Sequence, residues 1–296
     1  MPEAIQNMTQ TVWGLPVIIY LFLAGVGAGA YLTSWWNTRQ GGRGTLSVVG
    51  RYLAAPLVAV GTLLLVFDLG AGRMHLGRIF GLYSHPESIM SLGTWILTIF
   101  LVLSVIDGYG PLMRVRRAKW LGALTAVMAV AVAIYTGVLL GVVKAIPLWN
   151  TALLPVLFVL SACSTGMAAA FFVALLGGRR NLSDVESFGA LHIGLVLTEV
   201  VVLALLLFFA ANGPSAAHYS YVLMVSGRYA AAFWYGLVVL GLALPIAYAW
   251  LSRARGLVRY LQSPGWVMLE SLLVLVGGFF LRYLVVSAGA VGRILG

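Results

Sequence analysis

The sequence predicts an all-α integral membrane protein, a bundle of eight transmembrane helices with both termini on the non-cytoplasmic side. Three observations carry this. The 296 residues are 61% hydrophobic and 9% charged, against about 25% charged in a soluble domain. Uncharged runs long enough to cross a ~30 Å hydrocarbon core fill most of the chain. The basic residues fall mainly between those runs, so the net charge of +10 reads as membrane topology rather than as nucleic-acid binding. Length alone would allow two domains, but the runs leave one polytopic membrane domain over residues 1–296.

The first helix is expected at about residues 12–36, uncharged and anchored by Trp13, Trp35 and Trp36. The segment before it carries Glu3 and no Lys or Arg, so the run reads as a permanent helix and not as a signal peptide. Its middle, GVGAGA from Gly25 to Ala30, offers a small-residue face to a close neighbour. A basic loop with Arg39, Arg43 and Arg51 follows. The second helix, about 52–69, ends on Asp68. The next loop holds Arg73, His75, Arg78, His85 and Glu87. The third, about 91–106, is short and closed by Asp107, followed by Arg114, Arg116, Arg117 and Lys119.

The fourth helix is expected at about 120–143 and the fifth at about 150–176. Lys144, Pro147 and Trp149 between them mark a membrane boundary. The sixth, about 188–211, contains His192 and Glu199 and is broken by Asn212-Gly213-Pro214. A polar loop with His218 and Arg228 leads to the seventh, about 229–251. The eighth, about 266–287, has Glu270 near its start and Arg282 near its end. The loops after the first, third, fifth and seventh helices hold 12 of the 18 Lys and Arg residues. The positive-inside rule puts those loops in the cytoplasm and both termini outside.

Several chemistries are excluded or disfavoured. One cysteine, Cys163, rules out a disulfide framework, a thiolate iron–sulfur cluster and a cysteine zinc site. Of the four histidines only His192 falls inside an expected helix, which argues against membrane haems with paired histidine ligands. No cluster of Asp, Glu and His suggests a metal site, and no phosphate-binding loop suggests ATP-driven transport.

The candidates are the polar groups set in apolar runs. Glu199 lies 11 residues beyond Phe188, roughly 16 Å deep at ~1.5 Å per residue. His192 shares its helical face. With Asp107 and Glu270 at the same membrane side, these groups outline a proton route from the inner face to mid-membrane. At the outer face, Tyr135 is a buried phenol followed at once by Thr136 and Gly137, beside Asp68, His75, Lys144 and Trp149. A phenol, an imidazole and a water-linked carboxylate suit the hydrogen bonds and proton supply that a quinone head group requires. The alternative is that Tyr135 only bonds a neighbouring helix and that the charged groups pair structurally.

Taken together, several segments resemble the NrfD/PsrC family of membrane-anchor subunits in polysulfide-reductase-type molybdoenzyme complexes. They are YLFLAGVGAGAYL from Tyr20, DLG from Asp68, HPESIMSLGTW from His85, YTG from Tyr135, PLWN from Pro147, FWYG from Phe233 and LRYLVVSAG from Leu281. The resemblance implies a haem-free subunit that exchanges electrons between menaquinone or ubiquinone and a four-cluster, ferredoxin-like iron–sulfur partner on the outer face. That partner would serve a molybdopterin catalytic subunit at a prokaryotic cytoplasmic membrane. It implies that Tyr135 contacts quinone and that Trp149 and Asn150 border the pocket. Where some members have a histidine in the first helix this sequence has Tyr20, leaving Tyr20 or His75 as the second contact. Two further readings stand beside it: a stand-alone proton or solute transporter, and a passive membrane anchor.

Overall fold

The computed structural model describes residues 14–42, 44–68, 83, 88–110, 112, 118–177, 183–252 and 263–295, without the side chains of 68, 183–187 and 292–295. Among these residues the chain is helical throughout and no strand occurs. The helices are α1 (Leu15–Arg39), α2 (Leu46–Asp68), α3 (Ile89–Tyr109), α4 (Lys119–Gly141), α5 (Leu153–Leu176), α6 (Ser183–Ala211) and α7 (Ser215–Val225). Then α8 opens with the wider π turns over Ala232–Ala243 and continues as an α-helix over Leu244–Leu251, and α9 covers Pro264–Leu295. Eight of them, all but α7, are long and apolar enough to cross a membrane.

Four departures from the expected boundaries have a physical cause. First, α2 begins at Leu46, so Arg51 lies within it and is buried. The Asp107 carboxylate, 3.5 Å from Arg51 Nε, makes that tolerable. For the same reason α3 is not short. It carries Asp107 inside its last turn, where the carboxylate accepts a hydrogen bond from the Tyr31 hydroxyl at 2.8 Å. Next, the polar loop after Asn212-Gly213-Pro214 contains α7. Pro214 stands just before the first helical residue, and an apolar stretch, YVLMV, follows. Finally, α9 runs on to Leu295, so Arg282 is 13 residues from its end and not near it.

Helix α1 occupies the middle of the bundle, packed on α2, α4, α5 and α9. Its Gly-Ala face permits this. A methyl group added at Gly29 would collide with the Ala162 carbonyl of α5, and one added at Gly166 of α5 would collide with the Gly29 backbone. The two helices therefore touch backbone to backbone, as small residues allow in lipid, where apolar burial gives no drive to association. Gly241 of α8 and Gly277 of α9 make a second such contact. Ile146, Leu148 and Trp149 are buried and pin the α4–α5 connection onto the bundle.

The crossing makes a direct prediction. Gly29→Ala should cost about 1–3 kcal/mol by overpacking. Gly194→Ala, at a position with nothing within 4 Å, should be neutral or gain up to about 1 kcal/mol in helix propensity. Thermal unfolding of the two variants in detergent measures the contrast, and equal melting behaviour would refute it.

Candidate functional site

Two groups of polar side chains lie inside the bundle, one near the Leu15 end of α1 and one in the middle of the span. Near that end the phenols of Tyr20 (α1) and Tyr135 (α4) face each other, both buried among apolar residues. The Tyr20 hydroxyl is fully enclosed and makes no well-formed hydrogen bond among the described residues. Tyr135 fits only because residue 93 of α3 is glycine: a β-carbon there would fall inside the Tyr135 ring. Gly137, two residues further along, lets α4 press against the Pro155 backbone of α5.

Trp149 closes this end from the α4–α5 connection. Its indole N–H donates to the Val285 carbonyl of α9 at 2.7 Å and its ring lies on Gly289, so the residue is wholly buried. Lys144 and Asn150 are exposed in the same connection. Asp68 is the last residue of α2 and its side chain lies outside the described residues, as does all of His75. The segments from Tyr20, Tyr135, Pro147 and Leu281, far apart in sequence, thus converge on one end of the bundle, with Gly93 of the His85 segment beneath the Tyr135 ring.

The central group is built by α5, α6 and α9. Glu199 of α6 accepts a hydrogen bond from the Ser164 hydroxyl of α5 at 3.0 Å. One turn away, the Ser161 hydroxyl faces Glu199 and accepts a 2.9 Å hydrogen bond from Arg282 Nη1 of α9. Arg282 is 0% exposed, and Nη1 also donates to the Gly278 carbonyl at 2.8 Å. Its guanidinium lies 5.7 Å from the Phe22 ring and 5.4 Å from the Phe158 ring, faces that attract a cation in the absence of water. Nε and Nη2 have no hydrogen-bond partner among the described residues. Since Ser161 is eight residues beyond Leu153, this arginine sits roughly 12 Å inside the bundle.

Toward the other end of the bundle the line continues through His192 of α6, whose Nδ1 is 3.2 Å from Glu270 Oε1 of α9, both buried. From Glu270 to Arg282 the line spans about 18 Å along α9. Asp107 does not belong to it. It is held by Tyr31 and Arg51 in a separate cluster of α1, α2 and α3. Among the described residues no group of three His, Cys, Asp or Glu side chains forms a metal cage. Residue type alone does not mark Arg282, Ser161, Ser164 or Gly93. A usable signal is the arginine set in LRYLVVSAG, four residues after Gly278 of the small pair Gly277-Gly278.

The sequence profile described as "Polysulphide reductase, NrfD" matches residues 3–292. Over 97% of its length the sequence is 31% identical to a membrane-family relative from Wolinella succinogenes, a polysulfide reductase component, of which the match spans 96%. It is 28% identical to protein NrfD of Escherichia coli, over 95% of this sequence and 98% of that protein. It is 24% identical to a selenate reductase component of Mesobacillus selenatarsenatis, over 83% and 68%.

The central line predicts energetic coupling. Glu199→Gln and Arg282→Gln, alone and together, should give a non-additive stability change of about 0.5–3 kcal/mol by thermal unfolding. Strict additivity would mean that the two charges do not communicate through Ser161 and Ser164.

Proposed function

Because this chain belongs to the polysulphide reductase NrfD family, we propose that it is the quinone-reactive membrane subunit of a respiratory reductase complex. The observation that carries this reading is the Tyr20–Tyr135 pair. An enclosed hydroxyl without a well-formed partner is a donor in want of an acceptor, and it lies beside a second phenol in a space kept open by Gly93. Tyr20 and Tyr135 would hold a quinone by its carbonyl oxygens, with Trp149 fixing the wall beside them. Lys144, Asn150, Asp68 and His75 belong to the mouth of the site in this reading. When bound, menaquinone or ubiquinone supplies a two-electron, two-proton couple. The phenols orient it and hold protons at their hydroxyl oxygens, and the packed apolar surroundings exclude water.

The α5–α6–α9 line serves proton supply in the same reading. Glu270 and His192 hold protons near one membrane side, and Glu199 holds one at mid-span, relayed by the Ser164 and Ser161 hydroxyls. Arg282 orients Ser161 by a direct hydrogen bond. Tyr20 lies five residues from Gly25, against which the Arg282 guanidinium rests, so roughly 8 Å separates the end of the line from the phenol pair. The subunit holds no haem. A four-cluster iron–sulfur protein docks on the outer face and passes electrons to or from a molybdopterin subunit. A single polytopic domain sits in a prokaryotic cytoplasmic membrane with both termini outside. The same proton line would suit a stand-alone transporter, and co-purification of an iron–sulfur protein with bound quinone separates the two readings.

Two experiments test this. Tyr135→Phe should weaken quinone affinity about three- to tenfold, the worth of one neutral hydrogen bond of ~0.5–1.5 kcal/mol. Tyr20→Phe should do the same while leaving stability unchanged or raising it, since it removes a buried polar atom without a well-formed partner. Wild-type affinity and turnover in both variants, in an assembled complex, would place the site elsewhere. Topology is checked with reporter fusions at Arg117 and Gly296: a periplasmic reporter should be active only at Gly296, and a cytoplasmic one only at Arg117.

A further inference from the structure

A polar cavity of about 400 Å³ opens at the end of the bundle away from Tyr20, lined by Trp35, Arg39, Arg51, Asp107, Lys119 and Gly122 among others. Its position is that of lipid head groups: Arg39 is the last residue of α1, Lys119 the first of α4, and Asp107 lies in the last turn of α3. Its described charged side chains are three cations and one carboxylate. That carboxylate already accepts from Tyr31 and faces Arg51. Arg51 is buried, and its Nε has no hydrogen bond among the described residues, standing 3.5 Å from Asp107 outside bonding geometry. The Arg39 guanidinium rests on the Trp35 ring at 5.1 Å. The cavity is therefore net positive and includes a buried donor left over.

Trp35 also lines a second cavity, of about 270 Å³, between α1, α5 and α6. This one is apolar, walled by Leu32, Trp36, Met167, Leu191 and Leu195. Its rim faces hydrocarbon, since Trp36 and Leu191 are nearly half exposed. Trp120, beside Lys119, is exposed as well and marks the same interfacial level. A cationic cleft at the boundary and an apolar groove deeper in the span thus meet on the two sides of one tryptophan.

We propose that this paired cleft is a binding site for an acidic phospholipid. Its phosphate lies in the polar cavity against Arg39, Arg51 and Lys119, and an acyl tail lies in the groove below Trp35. A free phosphate would have no use for the groove, and a zwitterionic lipid would gain little from the excess of cations. The site lies at the opposite end from the phenol pair and does not rest on the quinone reading.

The test is a lipid titration of the full-length protein purified in detergent, followed by native mass spectrometry. Phosphatidylglycerol is compared with phosphatidylcholine of the same acyl composition. Wild type should retain phosphatidylglycerol in preference. Arg39→Gln and Lys119→Gln, both at exposed positions, should each weaken that binding about fivefold and leave phosphatidylcholine unaffected. Arg39→Lys should restore it. Leu191→Trp, which fills the groove, should weaken the long-tailed lipid more than its dioctanoyl counterpart. Wild-type phosphatidylglycerol affinity in the Arg39→Gln/Lys119→Gln double variant, or equal affinity for phosphatidylcholine, would overturn the proposal. Displacement of the lipid by an equal concentration of inorganic phosphate would also overturn it, reducing the cleft to an anion site.

Discussion

Gly29 of α1 and Gly166 of α5 touch through their backbones, with the Ala162 carbonyl closing the contact, and the remaining helices are arranged around that crossing. In lipid, helices gain nothing from hiding apolar surface, so close van der Waals packing between small residues has to hold them. The contact fixes α1 in the centre of the bundle. Whatever polar side chains α1 carries are then enclosed: Tyr20 toward one end and Tyr31 toward the other, 11 residues apart and about 16 Å along the axis. Ser161 and Ser164 flank the crossing on α5, which is why the central polar line runs past it and not through another part of the bundle.

Enclosed polarity has a cost that the structure meets in two ways. Asp107 and Arg51 are paired directly and reinforced by the Tyr31 and Thr38 hydroxyls, an arrangement in which losing one partner leaves a buried charge at a cost of several kcal/mol, roughly 3–5. Glu199 and Arg282 are joined through the hydroxyls of Ser161 and Ser164, and Arg282 is further held by two aromatic faces. An ion pair closed in the first way is stiff. A pair separated by rotatable hydroxyls, with two guanidinium nitrogens lacking hydrogen-bond partners among the described residues, retains freedom to rearrange. That difference suits the first cluster to structure and the second to the proton handling proposed above.

Much of the candidate site was legible because lipid makes polar residues conspicuous. Glu199, His192 and Glu270 stand out from apolar runs, and helical spacing puts Glu199 and His192 on one face; all three prove to be buried and neighbouring. Tyr135 was legible for the same reason, as was the YTG segment around it. Arg282 was misjudged because an arginine near an expected helix end looks like a boundary residue, and the end was placed eight residues early. Asp107 was assigned to the wrong company. Depth along a helix can be counted from sequence, but the angular position of α3 around α1 cannot. Gly93 could not be read at all, since its meaning is the ring of a tyrosine 42 residues away.

By itself, the sequence determined the class, the number of spanning helices and the depth of each polar group, because hydropathy and rise per residue are local quantities. The tertiary structure alone decided which of those groups meet. Side-chain partners such as Tyr20 with Tyr135, Ser161 with Arg282, or Trp149 with Val285 are separated by 115, 121 and 136 positions. They become neighbours only when backbone contacts such as Gly29 on Gly166 set how closely, and at what rotation, each helix lies against the next.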